Sequence, residues 1–501
     1  MAKYLLAIDQ GTTSSRAIIY DMTLTVIASA QQELALSYPR PGWVEQDPQH
    51  IWQTVLNCMR QALKRSGLTC HDIAGIGITN QRETSLLWHR HSGKMLYPAI
   101  VWQDRRGAAH CQQLKDRALE GMLKQKTGLL ADPYFSASKL SWMLDNVPAA
   151  RSLAEQGQLC FGTVDCYLLW QLTGGKVHAT DASNASRTLL FNIHQQQWDT
   201  ELLQLFRIPP SILPEVRDTT AAFGMTEQDF LGTSVPILSM IGDQQAALVG
   251  QACIRSGMSK STYGTGCFMM ANTGDSVLNS QHKLLSTVAW RINGQSTYAL
   301  EGSIFMAGAI VQWLRDKLGI IKHASETESL AQQSHYQQSE LLIPAFTGLG
   351  APYWQADTRA ALFGMTRDSG KPQLAAAALA AVAYQSRDLL LAMAQDGISI
   401  SSLRVDGGMT ANSWFLQALA DLSQCPVQRC QDLDATAYGV AFLTGLQLGI
   451  FTDISDISSL QRSKTQFAVG LSPDIAGLLH KRWRAAVSCL MAAEHALTTG
   501  L

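Results

Sequence analysis

Apolar positions along the chain gather into short runs bounded by tight polar turns, and between the runs lie longer stretches with helical spacing. Residues 4–8 form the first run, which stops at Asp9-Gln10-Gly11-Thr12-Thr13 and resumes over residues 15–20, a pattern that predicts strand, tight turn, strand. The pattern returns far downstream. Residues 261–263 lead to Gly264-Thr265-Gly266 and then to the apolar residues 267–270. A third junction follows residues 403–406, where Gly407-Gly408 opens a helical pattern from Ala411 to about Leu422. Two halves built on a similar plan are expected.

The helical stretches carry ordinary start signals. Asp47 stands at an N-cap and Pro48 at the first helical position, ahead of the apolar face Ile51, Trp52, Val55, Leu56 and Met59. Strands alternating with helices predict an α/β fold whose parallel or mixed sheets are covered by helices on both faces. The division is placed near Gln251, giving an N-terminal lobe of residues 1–251 and a C-terminal lobe of residues 252–501. No Pro/Ser-rich or charge-rich linker marks it, so closely connected lobes with a cleft between them are expected.

Length fits that picture, because 501 residues exceed what one hydrophobic core organises. Apolar residues make up 46% and charged residues 16%, the composition of a well-buried globular protein. With 39 basic against 40 acidic side chains, the chain has no general attraction for nucleic acid or an anionic membrane, and any phosphate site must be local. The first residues lack the basic and long apolar regions of a secretory signal, so a cytoplasmic protein is expected. The longest apolar run, residues 374–384, is well short of the roughly 20 residues that span a bilayer and reads as a buried helix, not a membrane insertion. Ten scattered cysteines, with no CxxC pair and no His cluster at metal-ligand spacing, predict reduced thiols. The histidines are expected to lack acid partners.

The turn Gly11-Thr12-Thr13-Ser14-Ser15 can converge backbone N–H groups and hydroxyls on one point, as a phosphate chain requires, and Arg16 adds a charged donor. Asp9, ending its strand, suits Mg²⁺ held through water. A polar β-hairpin with no ligand is the alternative for this turn alone. The second turn, Gly264-Thr265-Gly266, tips the balance towards a nucleotide cleft between lobes. Asp243 follows an apolar strand and Gly242 and precedes a helix beginning near Gln244, so its carboxylate faces the cleft or caps the helix. Arg82 and Glu83 are adjacent and reach one ligand only if the strand ends at Thr79 and a loop starts at Asn80; otherwise they form a surface ion pair. Trp102 and Phe268 read on their own as plain core.

Nearly the whole chain resembles the glycerol kinase group of the FGGY carbohydrate kinases. The resemblance rests on residues 9–16 (DQGTTSSR), 41–45 (PGWVE), 79–84 (TNQRET), 101–106 (VWQDRR), 134–146 (YFSASKLSWMLDN), 242–246 (GDQQA), 263–268 (YGTGCF) and 344–354 (PAFTGLGAPYW). It implies two actin-like, ribonuclease H-like ATPase lobes with the active site in the cleft between them. It also implies ATP and Mg²⁺, and phosphorylation of glycerol to sn-glycerol 3-phosphate in a homodimer or homotetramer. Carried over residue by residue, it puts Arg82, Glu83, Trp102, Tyr134, Asp243, Gln244 and Phe268 around glycerol, with Asp243 as general base. Thr12, Thr13, Ser14 and Arg16 would meet phosphates, and Thr265, Gly308, Gln312, Gly408, Met409 and Asn412 the rest of the nucleotide, with Met409 where the family carries a smaller residue. A relative acting on another polyol or ketose, or an actin-like ATPase without a small substrate, are the alternatives.

Overall fold

The computed structural model of the chain describes residues 3–355, 357–430, 434–460 and 465–499. Two mixed sheets organise them. The first has six strands in the order Thr220–Met225, Pro236–Gly242, Ile73–Asn80, Tyr4–Gln10, Ser14–Asp21, Val26–Glu33. The second has seven, in the order Leu285–Ile292, Gln295–Ile304, Cys267–Gly274, Ser259–Tyr263, Leu403–Asp406, Val427–Arg429, Thr465–Phe467. The expected repetition is visible in the pairing. Tyr4–Gln10 runs antiparallel to Ser14–Asp21 and parallel to Ile73–Asn80, and Ser259–Tyr263 runs antiparallel to Cys267–Gly274 and parallel to Leu403–Asp406. In the first sheet Asp9 pairs with Thr79; in the second Thr262 pairs with Asp406, the same two residue types with their strands exchanged.

Central strands covered on both faces must be apolar throughout rather than alternating, and Leu5, Leu6, Ala7 and Ile8 are all buried. The helix Pro48–Ser66 covers one face of the first sheet with Ile51, Trp52, Val55 and Met59. Asp47 caps it by accepting from the Gln49 N–H, and Gly67 ends it in the left-handed region at φ 69°.

The other face is covered from far away in sequence. Helix Ala435–Gln447 lies across Gly75 and Gly77 of the strand Ile73–Asn80, where an added Cβ would run into Thr444. It then crosses helix Asp243–Gly250, and the crossing is possible only because both helices present glycine. A Cβ on Gly250 would strike the Ala435 carbonyl, and one on Gly439 the Ala246 carbonyl. The core around this crossing mixes Leu5, Ile18 and Ile241 with Val440, Phe442 and Leu443.

One expectation holds with a longer helix than expected, and one changes. The apolar run 374–384 belongs to a 25-residue helix, Lys371–Gln395, long and apolar enough to cross a membrane by length and composition, yet 83% of its most apolar window is buried inside the protein. It is the core helix of the second lobe. The histidines do find acids, at separations no local pattern reveals. His282 Nδ1 lies 2.7 Å from Asp396 Oδ1, and buried His480 Nε2 lies 2.7 Å from Asp388 Oδ1. Asp388 Oδ2 also accepts from Tyr353 at 2.9 Å and Trp483 at 2.8 Å, tying the C-terminal helix Pro473–Thr499 to the loop 344–354. Among the described residues no disulfide joins any of the cysteines.

The helix crossing generates a direct test. Gly439→Ala should lower unfolding free energy by about 1–3 kcal/mol or more through overpacking against backbone that cannot yield, measured by urea denaturation. Gly477→Ala, in a helix with open space around it, should be neutral or stabilising by up to about 1 kcal/mol. Equal behaviour of the two variants would show that the crossing is not close-packed.

Candidate active site

The strand Ile73–Asn80 runs one residue further than expected, and the turn that follows solves the problem of two adjacent side chains reaching one place. Glu83 takes a left-handed backbone at φ 59°, a strained conformation for a non-glycine residue. The Thr84 N–H bonds the Arg82 carbonyl at 2.7 Å. Arg82 and Glu83 are then both buried and do not pair with each other. Arg82 Nε lies 3.1 Å from Asp243 Oδ1, and its Nη1 donates to Glu301 Oε2 at 2.6 Å. Arg187 Nε donates to Glu83 Oε1 at 2.7 Å, and Nη2 to Glu301 Oε1 at 2.8 Å. Two guanidiniums and two carboxylates thus form one buried network, which partly exposed Asp243 joins through Arg82. Burial raises the Glu83 carboxyl above its usual range against the pull of Arg187 and Arg82, while the two arginines hold Glu301 below it.

Aromatic rings adjoin this network. Trp102 meets Tyr134 edge-on at 5.5 Å and Phe268 at 6.0 Å, with Arg82 5.8 Å from the Phe268 ring and Arg187 5.6 Å from the Tyr134 ring. All three rings keep partial exposure, so they wall a pocket and are not sealed core. Asp243 is the first residue of helix Asp243–Gly250, and the N-cap is Gly242. Its Oδ1 also accepts from the Gln244 N–H at 2.7 Å; among the described residues no hydrogen bond reaches Oδ2. Gln244 is buried, its Oε1 held by the ammonium of Lys260, which bonds Thr262 Oγ1 at 3.0 Å as well.

Two of the sequence motifs, 79–84 and 101–106, brace the first turn together with Gln46. Gln46 Nε2 donates to the Thr12 carbonyl at 2.6 Å, Gln81 Nε2 to Gln46 Oε1 at 2.9 Å, and Thr84 Oγ1 to Gln81 Oε1 at 2.9 Å. Trp102 closes the circuit by donating from its indole to Thr12 Oγ1 at 2.9 Å. The Thr12 hydroxyl keeps its own proton to donate. Behind them Arg106 binds Glu45 at 2.7 Å and Asp104 at 2.8 Å.

Gly11, Thr12 and Thr13 form the first hairpin turn, and Ser14 opens the next strand. Asp9 sits beside Arg16 in the strand register; burial and the nearby Asp243 push its carboxyl up to about 6 although Arg16 pulls it down. Arg16 also forms an ion pair with Asp434, so the first hairpin is tied to the start of helix Ala435–Gln447. A half-buried carboxylate with a second one close by suits a hydrated Mg²⁺, and no cluster of three metal-ligating side chains occurs among the described residues, so such an ion would be held through water and phosphate.

The second turn opens into a cleft of about 380 Å³. Thr265, Gly308, Gln312, Gly408, Met409 and Asn412 all line it. The Thr265 carbonyl accepts from Ala307 and Ala309 at 3.0 Å, locking helix Gly308–Asp316 against the hairpin. Gly407 turns at φ 92°, where a Cβ would strike the Tyr263 carbonyl, and Asn412 is fixed as the N-cap of helix Ser413–Ser423 through the Phe415 N–H at 2.8 Å.

Sequence reading missed Arg187, Glu301, Lys260 and Lys139. Lys139 lies in the 134–146 motif, but nothing in that pattern marks it as buried. Its Nζ donates to the carbonyls of Pro133 at 2.7 Å, Tyr134 at 2.6 Å and Phe135 at 3.1 Å, which fixes the Tyr134 loop. Burial lowers its ammonium to about 8 from 10.5. Below about 8 it is charged in both folded and unfolded chains; between about 8 and 10.5 the unfolded chain binds more protons, so folding gains stability as pH rises. Wild-type stability relative to Lys139→Met should therefore increase from pH 8 to 10.5 in denaturation experiments, and a flat difference would place Lys139 outside this description.

Comparison with known proteins follows from this geometry. Residues 4–250 match the N-terminal domain, and residues 260–448 the C-terminal domain, of the FGGY family of carbohydrate kinases. Glycerol kinase 1 of Pseudomonas aeruginosa is 55% identical over 487 residues, covering 97% of this chain and 99% of that protein. The glycerol kinase of Ectopseudomonas mendocina is 56% identical over 488 residues, with 97% and 99% covered. Among solved structures, Plasmodium falciparum glycerol kinase with ADP superposes with a TM-score of 0.91 at 34% identity, covering 97% of this chain and 98% of that one. The two mixed sheets, the twin hairpins between them and the sequence match across both lobes place this chain in the FGGY family of carbohydrate kinases.

Proposed function

We propose that the enzyme transfers the γ-phosphoryl group of ATP to a terminal hydroxyl of glycerol, giving ADP and sn-glycerol 3-phosphate. The observation that carries this reading is the position of Asp243. On one side its Oδ1 is held by Arg82, within the buried network and its aromatic walls; on the other it lies close enough to raise the proton affinity of Asp9 at the first hairpin. A small polyol has little apolar surface, so its binding depends on several directed hydrogen bonds in a tight pocket. Arg82, Glu83, Tyr134 and Gln244 supply donors and acceptors, while Trp102 and Phe268 close over the carbon chain. The full-length identity to glycerol kinases supports glycerol as that polyol.

In this mechanism Arg82 orients Asp243 through Oδ1, and Oδ2 takes the proton of the attacking hydroxyl as its oxygen bonds to the γ-phosphorus in line with the departing ADP oxygen. Thr12, Thr13, Ser14, Arg16 and Thr265 hold the phosphates. The adenosine lies in the cleft against Gly308, Gln312, Gly408, Met409 and Asn412, where Met409 offers an apolar contact. Magnesium, when bound, neutralises phosphate charge, and Asp9 is the residue that would hold it through water. The 1–251 and 252–501 lobes would carry the polyol and adenosine sites respectively, in a homodimer or homotetramer within the cytoplasm.

ADP release measured over a panel of polyols and ketoses should show turnover that depends on glycerol. Turnover without any polyol, or a preference for a ketose, would overturn the substrate assignment. Asp243→Asn keeps shape and hydrogen bonding but not the proton acceptor, so kcat should fall by about 10² to 10⁴ with melting temperature and glycerol affinity little changed. Retention of more than roughly a tenth of wild-type turnover would remove Asp243 from the chemistry.

A further inference from the structure

Arg82 and Glu83 are held in place by two residues that are remote from them in sequence. Glu301 belongs to Gln295–Ile304, an inner strand of the second sheet flanked by Leu285–Ile292 and Cys267–Gly274, where cross-strand pairing fixes it at Met270 and Leu285. Arg187 follows the short helix Ala182–Ala185. Both are 0% exposed. Glu301 divides its oxygens between the two arginines, 2.6 Å to Arg82 and 2.8 Å to Arg187, and Arg187 passes on to Glu83 at 2.7 Å. One carboxylate from the second sheet is thus the shared counter-ion of two guanidiniums that would otherwise repel each other out of water.

We propose that Glu301, acting through Arg82 and Arg187, is the positioning residue that orients the polyol-binding pair and keeps Asp243 available. This rests on the glycerol kinase reading and deepens it. Arg82 already reaches Asp243 Oδ1 through Nε. With Glu301 neutral, the Nη1 of Arg82 loses its carboxylate and keeps only Gln245 Oε1 at 3.3 Å, so the arginine leans more on the neighbouring Glu83 and on Asp243 and competes for the group that takes the substrate proton. At the same time Arg187 loses one of its two anchors, and Glu83 loses its fixed direction. Both the binding of the polyol and the alignment of its hydroxyl depend on one side chain supplied by the opposite lobe.

The test is steady-state kinetics on Glu301→Gln and Glu301→Asp with glycerol and ATP varied separately. Glu301→Gln should raise the glycerol KM at least about tenfold, the loss typical of a charge-assisted hydrogen bond, and lower kcat, with the ATP KM within about twofold of wild type. Glu301→Asp keeps the charge but is too short to serve both arginines well, so it should recover part of the glycerol KM. A merely structural role would lower the melting temperature while the folded fraction kept its wild-type glycerol KM, and that result overturns the proposal. If Glu301→Gln does not fold, the Asp variant alone decides: a wild-type glycerol KM in it is equally fatal. Absence of glycerol-dependent turnover in the wild type would defeat the substrate reading instead, and the same comparison would then be made with whichever polyol supports turnover.

Discussion

Taking two guanidiniums and two carboxylates out of water is costly unless each finds its partner, and breaking one member of such a set typically costs about 3–5 kcal/mol. Arg82, Arg187, Glu83 and Glu301 pair with one another across the junction of the two sheets, partly exposed Asp243 joins them through Arg82, and Arg187 Nη1 is left without a hydrogen bond among the described residues. Much of the surrounding geometry follows from that requirement. Glu83 accepts a left-handed backbone so that its carboxylate can meet Arg187, and Ser85 and Ser136 both bond its carbonyl at 3.0 Å to hold the strained residue. The strain is offset by contacts that exist only when the whole network is assembled.

The network also explains why the two lobes are joined as they are. Glu301 and Phe268 come from the second sheet, whereas Arg82, Glu83, Trp102 and Tyr134 come from the first lobe. The proposed polyol pocket would therefore need the sheets held in fixed register at its base. The glycine-to-glycine crossing of Asp243–Gly250 with Ala435–Gln447 supplies a close backbone contact along the helix that Asp243 opens. The cleft bounded by Gly264, Gly308 and Gly408 is lined wholly by residues 263–412, so under the proposed function the nucleotide base and the polyol would be held by different lobes.

Most of the fold's local grammar was legible in the sequence. The hairpins at Gly11 and Gly264, the Asp47 cap and the alternation of strands with helices were read from turn chemistry and periodicity, which are short-range signals. The candidate ligands were legible through motif resemblance, and the structure gathers Arg82, Glu83, Trp102, Tyr134, Asp243 and Phe268 together. What escaped is what depends on long-range pairing. Glu301 stands 219 residues from Arg82, and Arg187 104 residues from Glu83, in segments that read as an ordinary strand and loop. Helix Ala435–Gln447 gave no sign that it covers the first sheet. The acids facing His282 and His480 lie 114 and 92 residues away, so no spacing rule could find them.

The most direct measurement is a crystal structure of the enzyme with glycerol and a non-hydrolysable ATP analogue. A terminal glycerol oxygen should lie about 2.6–3.2 Å from the Asp243 carboxylate and face the γ-phosphorus opposite the bridging oxygen, with the other hydroxyls on Arg82 and Glu83. Glycerol bound with its terminal oxygens away from Asp243, or Asp243 turned wholly onto Arg82 in the ternary complex, would contradict the mechanism.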